Sequence, residues 1–249
     1  MANKVILITG ALAGIGRATA LAFAREENAK IVVSGRREQD GKQLADEIRA
    51  LGAEAEFIYS DVRNEDDVRN LIDKAVERFG RLDVAVNNAG TEGTPGPIVS
   101  QTEESYRSTF DTNVLGVILS VKHELRVMTA QGHGSIINIS SVVGHKPFAG
   151  ASIYVASKHA VEGLTLSVAL EAAASGVRVN AVAPGPIQTG MLDRFAVNEE
   201  IRAGLESSVP LRRIGTVDEV AQTILFVASD NASYITGTVL SVDGGFSAA

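Results

Sequence analysis

Tyr154 and Lys158 stand four residues apart in the run Tyr154-Val155-Ala156-Ser157-Lys158. On a helix that spacing puts a phenol and an ammonium on one face, one turn from each other. A neighbouring cation favours phenolate over phenol, so the pair predicts a tyrosine whose pKa falls from ~10 toward working pH. Such a group can pass a proton to or from a substrate oxygen. Ser141 lies earlier, where a strand-like run ends, and its hydroxyl could hold the same oxygen. An amphipathic surface helix can carry the same Tyr/Lys spacing without any chemistry, so the surrounding chain has to decide.

The elements that would position these residues alternate from end to end. Val5–Ile8, Ile31–Ser34, Ala55–Tyr59, Leu82–Val86, Ser135–Ile139, Val177–Val182 and Val239–Val242 read as strands. Val5–Ile8 is a continuous run, as in a strand buried on both faces, and Ile31–Ser34 reads as a second buried strand. Helical stretches separate them: from the glycine turn to about Glu27, Arg37–Leu51, a run to Phe79 capped by Asn64, Glu103–Thr129, Ser152–Ala174, and Val217–Ala228 capped by Thr216. The fold class is therefore α/β: a single-domain, doubly wound parallel sheet of about seven strands, Rossmann-like, with helices on both faces. Residues 188–215 interrupt the alternation and read as a substrate-binding lid.

Composition narrows the functional classes. The 249 residues carry a net charge of −7, which disfavours nucleic acid or an anionic membrane surface as a partner. Zero cysteines exclude thiolate metal sites and fit a reducing compartment. His123, His133, His145 and His159 are scattered, without metal-ligand spacing. The first apolar run stops at Gly10, too soon for a signal-peptide core, and no run is long enough to span a bilayer. The expectation is a cytoplasmic protein with no metal.

A cofactor turn follows the first strand. Gly10, Gly14 and Gly16, with Ile15 between the last two, open the first helix. Small residues there let backbone approach a pyrophosphate, and the helix N-terminus offers free N–H groups. At the end of the second strand Arg36 and Arg37 stand where an acidic residue would mark NAD, which favours NADP, with NAD possible through Glu38 or Asp40. Asp61 with Val62, and Asn88 with Gly90, end the third and fourth strands and face the same crevice; Asp61 could accept from an adenine amino group or cap the following helix.

Together these residues resemble the short-chain dehydrogenase/reductase family over essentially the whole chain. Thr9-Gly10-Ala11-Leu12-Ala13-Gly14-Ile15-Gly16 is similar to its cofactor turn, and Asn87-Asn88-Ala89-Gly90 to its fourth-strand motif. Asn113, Ser141, Tyr154 and Lys158 match its catalytic set in order and spacing. Pro184, Gly185, Ile187 and Thr189 are similar to its nicotinamide-carboxamide segment, and Val242-Asp243-Gly244-Gly245 to its C-terminal ending. The resemblance implies Tyr154 as acid/base, Ser141 as oxygen ligand and Lys158 as modulator of the tyrosine and ligand of the nicotinamide ribose. Asn113 would join a proton relay from that lysine to solvent. It selects Ser141 over Ser140, and it implies a homotetramer packed through the two long helices. Ala13 departs from members that carry a basic residue there, which leaves the arginines as phosphate ligands. The tight Tyr/Lys spacing favours C=O over C=C reduction.

The implied substrate is a small ketone or secondary alcohol, in an apolar pocket of Val142, Val143, Phe148, Ile187, Met191, Leu192 and Phe195, with Glu92 favouring a cationic group. An alternative is a 3-oxoacyl-carrier-protein reductase, disfavoured because Val127–His145 contains no Lys or Arg to receive an acidic carrier. A non-catalytic nucleotide-binding sensor or scaffold is the alternative from another class, disfavoured because Tyr154 and Lys158 are both retained.

Overall fold

The computed structural model describes residues 3–26, 28–196 and 198–249. Seven strands form one parallel sheet: β1 (Val5–Thr9), β2 (Lys30–Gly35), β3 (Glu54–Tyr59), β4 (Val84–Asn87), β5 (Gly134–Ile139), β6 (Val177–Pro184) and β7 (Val239–Val242), in the order β3-β2-β1-β4-β5-β6-β7. Alternation within β1 shows how both faces are covered. Ile6 and Ile8 point into a core shared with α1 (Gly14–Ala24), α2 (Glu38–Ala50) and α9 (Val217–Ala228). Leu7 points the other way, into a core with α3 (Glu65–Phe79), α5 (Gly116–Gln131) and α6 (Ser152–Ala172). Successive strand residues face opposite sides, so a strand lying between two helix layers has to be apolar throughout.

The strand order reverses between β1 and β4, and crossovers leave on opposite faces from there. That divergence opens a crevice at the carboxyl ends of the strands, the usual ligand position in such sheets.

Local chemistry sets most helix ends. Asn64 accepts from the amides of Asp66 and Asp67 at 2.9 and 3.3 Å, and Gly80 closes α3 in the left-handed region at φ 81°. Thr216 and Glu219 form a reciprocal capping box at α9.

Several boundaries differ from the sequence expectation. α1 stops at Ala24, and Glu27 lies outside the described residues. β6 runs on to Pro184, because the carbonyl and amide groups around it still pair with β7. The helix expected over Glu103–Thr129 is divided. α4 (Glu103–Phe110) enters a single π turn, Asp111–Leu115, before α5 begins. Periodicity cannot announce that insertion, because the π turn shifts the register without breaking the helix. The 188–215 segment holds α7 (Gly190–Phe195) and α8 (Glu199–Ser208).

Candidate active site

Three elements bring Asn113, Ser141, Tyr154 and Lys158 together: the last three on one wall of the crevice, with Asn113 buried behind it. Ser141 follows β5 and caps a short turn, accepting from the Val143 amide at 3.4 Å. Tyr154 and Lys158 lie on the first turns of α6, and Asn113 sits in the π turn, 1% exposed. The extra residue of that turn directs the Asn113 side chain inward. Its Oδ1 accepts from the Thr91 amide at 2.8 Å, and its Nδ2 donates to the Thr91 carbonyl at 2.8 Å and to Ser157 Oγ at 3.0 Å. Ser157 donates in turn to the Tyr154 carbonyl at 2.7 Å. Asn113 thus ties the strand end beyond β4 to the helix that carries the tyrosine. Thr91 and Ser157 were missed in the sequence; a hydroxyl three residues after Tyr154 was the only available signal.

The adjacent serines point to different partners. Ser140 is buried and donates to Glu162 Oε1 at 2.9 Å, whereas Ser141 lies within reach of the Tyr154 phenol.

The electrostatics correct one expectation. Tyr154 does not fall toward neutral pH in this structure; burial pushes it up to about 12, Ser141 pulls it partly back, and the Glu92 charge adds to the rise. Part of the tyrosine surface opens onto the cleft, but protein surrounds the phenol. Lys158 offers little relief. Its Nζ lies 5.7 Å from the tyrosine ring centroid and donates to the Ile139 carbonyl at 2.9 Å. Burial also weakens the ammonium itself, lowering Lys158 to about 8 against an opposing pull from Glu162. That rise keeps the phenol protonated at neutral pH.

The glycine turn fits a dinucleotide. Ala13 caps α1 with no side-chain hydrogen bond, and the first turn has no acidic residue, so its backbone N–H groups face the crevice uncompensated. A Cβ at Gly10 would stand 2.7 Å from Ala89 Cα, and one at Gly16 would stand 2.4 Å from Asn88 Nδ2. Only glycine lets this turn lie flush on the end of β4. Asn88 closes it by donating to the Thr9 and Gly10 carbonyls at 3.2 and 2.9 Å.

Two cavities meet at Gly90. One is lined by Gly10, Ala13, Arg36, Arg37, Asp61 and Val62; the other holds Ser141, Tyr154, Lys158 and Ile15. Gly14 stands beside the latter through Thr189, 3.4 Å from a Cβ built at that glycine. Arg36 is exposed with its nearest carboxylate, Asp61, 4.0 Å away. Arg37 is paired with Asp40. Asp61 is clasped by Arg63 through three side-chain contacts of 2.5–3.1 Å, which hold its carboxyl below the ordinary range.

Pro184, Gly185, Ile187 and Thr189 line the catalytic cavity from the β6 side. Val142, Val143, Phe148, Met191, Leu192 and Phe195 all line it too, with Phe148 and Phe195 edge to face at 5.5 Å. Pro95, Ala151, Leu205 and Phe246 also line it and were not anticipated; Pro95 and Phe246 arrive from segments distant in sequence, whereas Ala151 directly precedes α6 and Leu205 lies on α8. Glu92 does face the cavity, but it is paired with Arg194 of α7 at 2.5 Å, so its charge is already met. Among the described residues no group of His, Asp or Glu could hold a metal ion, and no helix is long and apolar enough to cross a membrane.

Known proteins are similar to this chain in sequence and in fold. A family model described as Enoyl-(Acyl carrier protein) reductase matches residues 10–247. The chain is 40% identical to the cis-4-hydroxycyclohexanecarboxylate dehydrogenase of Sinomonas cyclohexanicum, covering 99% of this chain and 98% of that one. It is also 40% identical to the 3-oxoacyl-acyl-carrier-protein reductase FabG of Thermotoga maritima, covering 98% and 97%. The crystal structure of levodione reductase superposes with a TM-score of 0.95 at 36% identity, covering 100% of this chain and 99% of that one. An actinorhodin polyketide ketoreductase with NADPH gives 0.93 at 33% identity, covering 99% of each chain. The chain therefore belongs to the short-chain dehydrogenase/reductase family of NAD(P)-dependent oxidoreductases.

Proposed function

We propose that the protein interconverts a neutral ketone and its secondary alcohol with NADP(H), using Tyr154 as the acid/base. The observation that carries this reading is the convergence of Ser141, Tyr154 and Lys158 on one wall of an apolar cavity continuous with the glycine turn. A bound nicotinamide supplies the hydride, and the protein supplies orientation and electrostatics. Ser141 and Tyr154 donate to the substrate oxygen, stabilising the charge that develops there. Tyr154 delivers the proton in reduction, for which a pKa of about 12 keeps it loaded. Lys158, held by the Ile139 carbonyl, would hold the nicotinamide ribose, and Asn113 ties the helix that carries Tyr154 to Thr91 through Ser157.

The preference for NADP rests on the charge at the end of β2. Arg37 and Arg63 are closely paired with Asp40 and Asp61, whereas Arg36 is exposed and 4.0 Å from Asp61, which leaves it the least engaged. A guanidinium takes a ribose phosphate through paired hydrogen bonds. A relative named for a cyclohexane alcohol supports a ring ketone as substrate. The apolar lining suits such a molecule better than a carrier-bound thioester, and no Lys or Arg between Val127 and His145 would greet an acidic carrier. The lid is residues 188–215, with α7 and α8 covering the cavity. Exposed Tyr106, Leu115, Ile118, Leu166 and Leu170 on the α4–α5 and α6 surfaces support a homotetramer. A chain without cysteine suits the cytoplasm.

The test is initial-rate measurement with NADPH and NADH on ring ketones, open-chain ketones and a 3-oxoacyl thioester. Ketone reduction should fall at least about 1,000-fold in Tyr154→Phe while the cofactor Kd stays within about threefold. Unchanged turnover in that variant would sink the mechanism, and a preference for the thioester would favour the carrier-protein reading. Cofactor binding with no turnover of any substrate would favour the sensor.

A further inference from the structure

Glu162 lies on α6 one helical turn beyond Lys158 and is only 8% exposed, yet it has no part in the chemistry just described. A buried carboxylate is costly unless its oxygens are met by donors. Here the donors come from both ends of the turn that carries Ser141. Ser140 Oγ donates to Glu162 Oε1 at 2.9 Å. His145 Nδ1 lies 3.0 and 3.2 Å from the two carboxylate oxygens. Between them, Gly144 packs so tightly that a Cβ would stand 2.2 Å from Glu162 Oε1. The far side of His145 reaches Ser241 of β7, with Nε2 and the hydroxyl 3.4 Å apart. Lys158 is fixed to the same stretch through the Ile139 carbonyl at 2.9 Å.

We infer that Glu162 is a positioning residue for the reaction, its carboxylate pinning the Ser141 turn against the helix that carries Tyr154 and Lys158. The inference rests on Ser141, Tyr154 and Lys158 being the reacting groups. Its physical content is that two donors which must converge on one oxygen come from separate elements. Among the contacts described, the Glu162 carboxylate grips both ends of one element from a side chain on the other. A displacement of about 1 Å between such groups can cost on the order of 100-fold in rate. Glu162 also sets a negative charge near Lys158 that supports its ammonium form.

The experiment measures kcat, KM and pH profiles for ketone reduction in Ser140→Ala, Glu162→Ala, Glu162→Gln and the Ser140→Ala/Glu162→Ala double variant. Glu162→Ala should lower kcat about 10- to 100-fold with the cofactor KM within about twofold. Glu162→Gln keeps an acceptor for Ser140 and should recover most of kcat at neutral pH. Its alkaline limb should move to lower pH, because Lys158 has lost its nearby negative charge. Ser140→Ala should lower kcat in the same sense, and the double variant should lose no more than Glu162→Ala alone. A merely structural glutamate would lower melting temperature without moving the alkaline limb or producing that non-additivity. If Glu162→Ala does not fold, Ser140→Ala and the Gln variant decide. Variants of active wild type with kcat within twofold and an unmoved limb would overturn the inference. A wild type inactive on every ketone would instead remove the functional reading, and this inference with it.

Discussion

Glu124 on α5 has no accessible surface, and its one protein hydrogen bond comes from Asn87 Nδ2 at 3.0 Å. Among the described residues, its other oxygen and Asn87 Oδ1 are both buried acceptors without a donor. Burial pushes the carboxyl from its ordinary 4.5 up to about 8, the Asn87 bond offsetting only part of the rise. A proton on Glu124 turns one orphaned acceptor into a donor, so the folded protein keeps that proton at neutral pH while the unfolded chain releases it. Between those two pKa values the folded state binds one more proton than the unfolded state, so stability falls as pH rises. Each pH unit in that window costs about 1.4 kcal/mol, and the whole window costs at most about 5 kcal/mol. The contribution is complete below the unfolded value and gone once pH passes about 8.

Glu124→Gln keeps the acceptor for Asn87 and adds a permanent donor, so it should be near neutral at pH 4.5–5 and stabilising at pH 8 by about 3–5 kcal/mol. For a chain of this size that corresponds to a rise of roughly 6–20 °C in Tm at pH 8. Thermal and urea unfolding of both proteins at half-unit steps from pH 5 to 8.5 reads the difference directly. A pH-independent difference, or a variant less stable than wild type at pH 8, would show that Glu124 is ionised in the fold and refute the reasoning.

Three further outcomes follow from the site. Arg36→Ala should reduce kcat/KM for NADPH about 10- to 100-fold and leave NADH within about threefold, because it removes the least engaged cation at the end of β2; equal losses for both cofactors would exclude a ribose-phosphate role. Lys158→Met should abolish most ketone turnover yet raise Tm at pH 7, since burial lowers the lysine from 10.5 to about 8 and the folded state must carry a disfavoured charge below that pH. That stabilisation should shrink between pH 8 and 10.5, and a constant or destabilising effect across this range would contradict it. Arg194→Ala frees the Glu92 pair that joins α7 to the loop beyond β4, so KM for ketones should rise severalfold with cofactor KM unchanged; an unaltered ketone KM would remove the pair as a lid latch.

The parallel sheet was legible because short β-rich runs alternate from end to end with helical stretches, some of them announced by a capping residue. Val5–Thr9 has every residue buried, and Asn64 and Thr216 cap the helices they announce. The wall of the cavity was legible in part. Val143, Phe148, Met191 and Leu192 stand near Ser141 and Tyr154 in the chain or in the interrupting segment, whereas Phe246 arrives from the C-terminal end through the sheet order. The division of the long helix at Asp111–Leu115 left no periodic trace, although it turns Asn113 inward.

Types and spacings in the chain determine that a phenol and an ammonium share one helical face, that glycines open the first helix, and that arginines end the second strand. These are local properties, set by residues a few positions apart. The tertiary structure alone decides the electrostatic state of the pair. Four residues of spacing imply a lowered tyrosine, yet burial lifts Tyr154 to about 12 and draws Lys158 down to about 8. Desolvation depends on every element packed around a group, and no local stretch records it. The same holds for Glu162 and Glu124, ordinary helix glutamates in the chain that only packing makes a clasp for Ser140 and His145 and a buried acid beside Asn87.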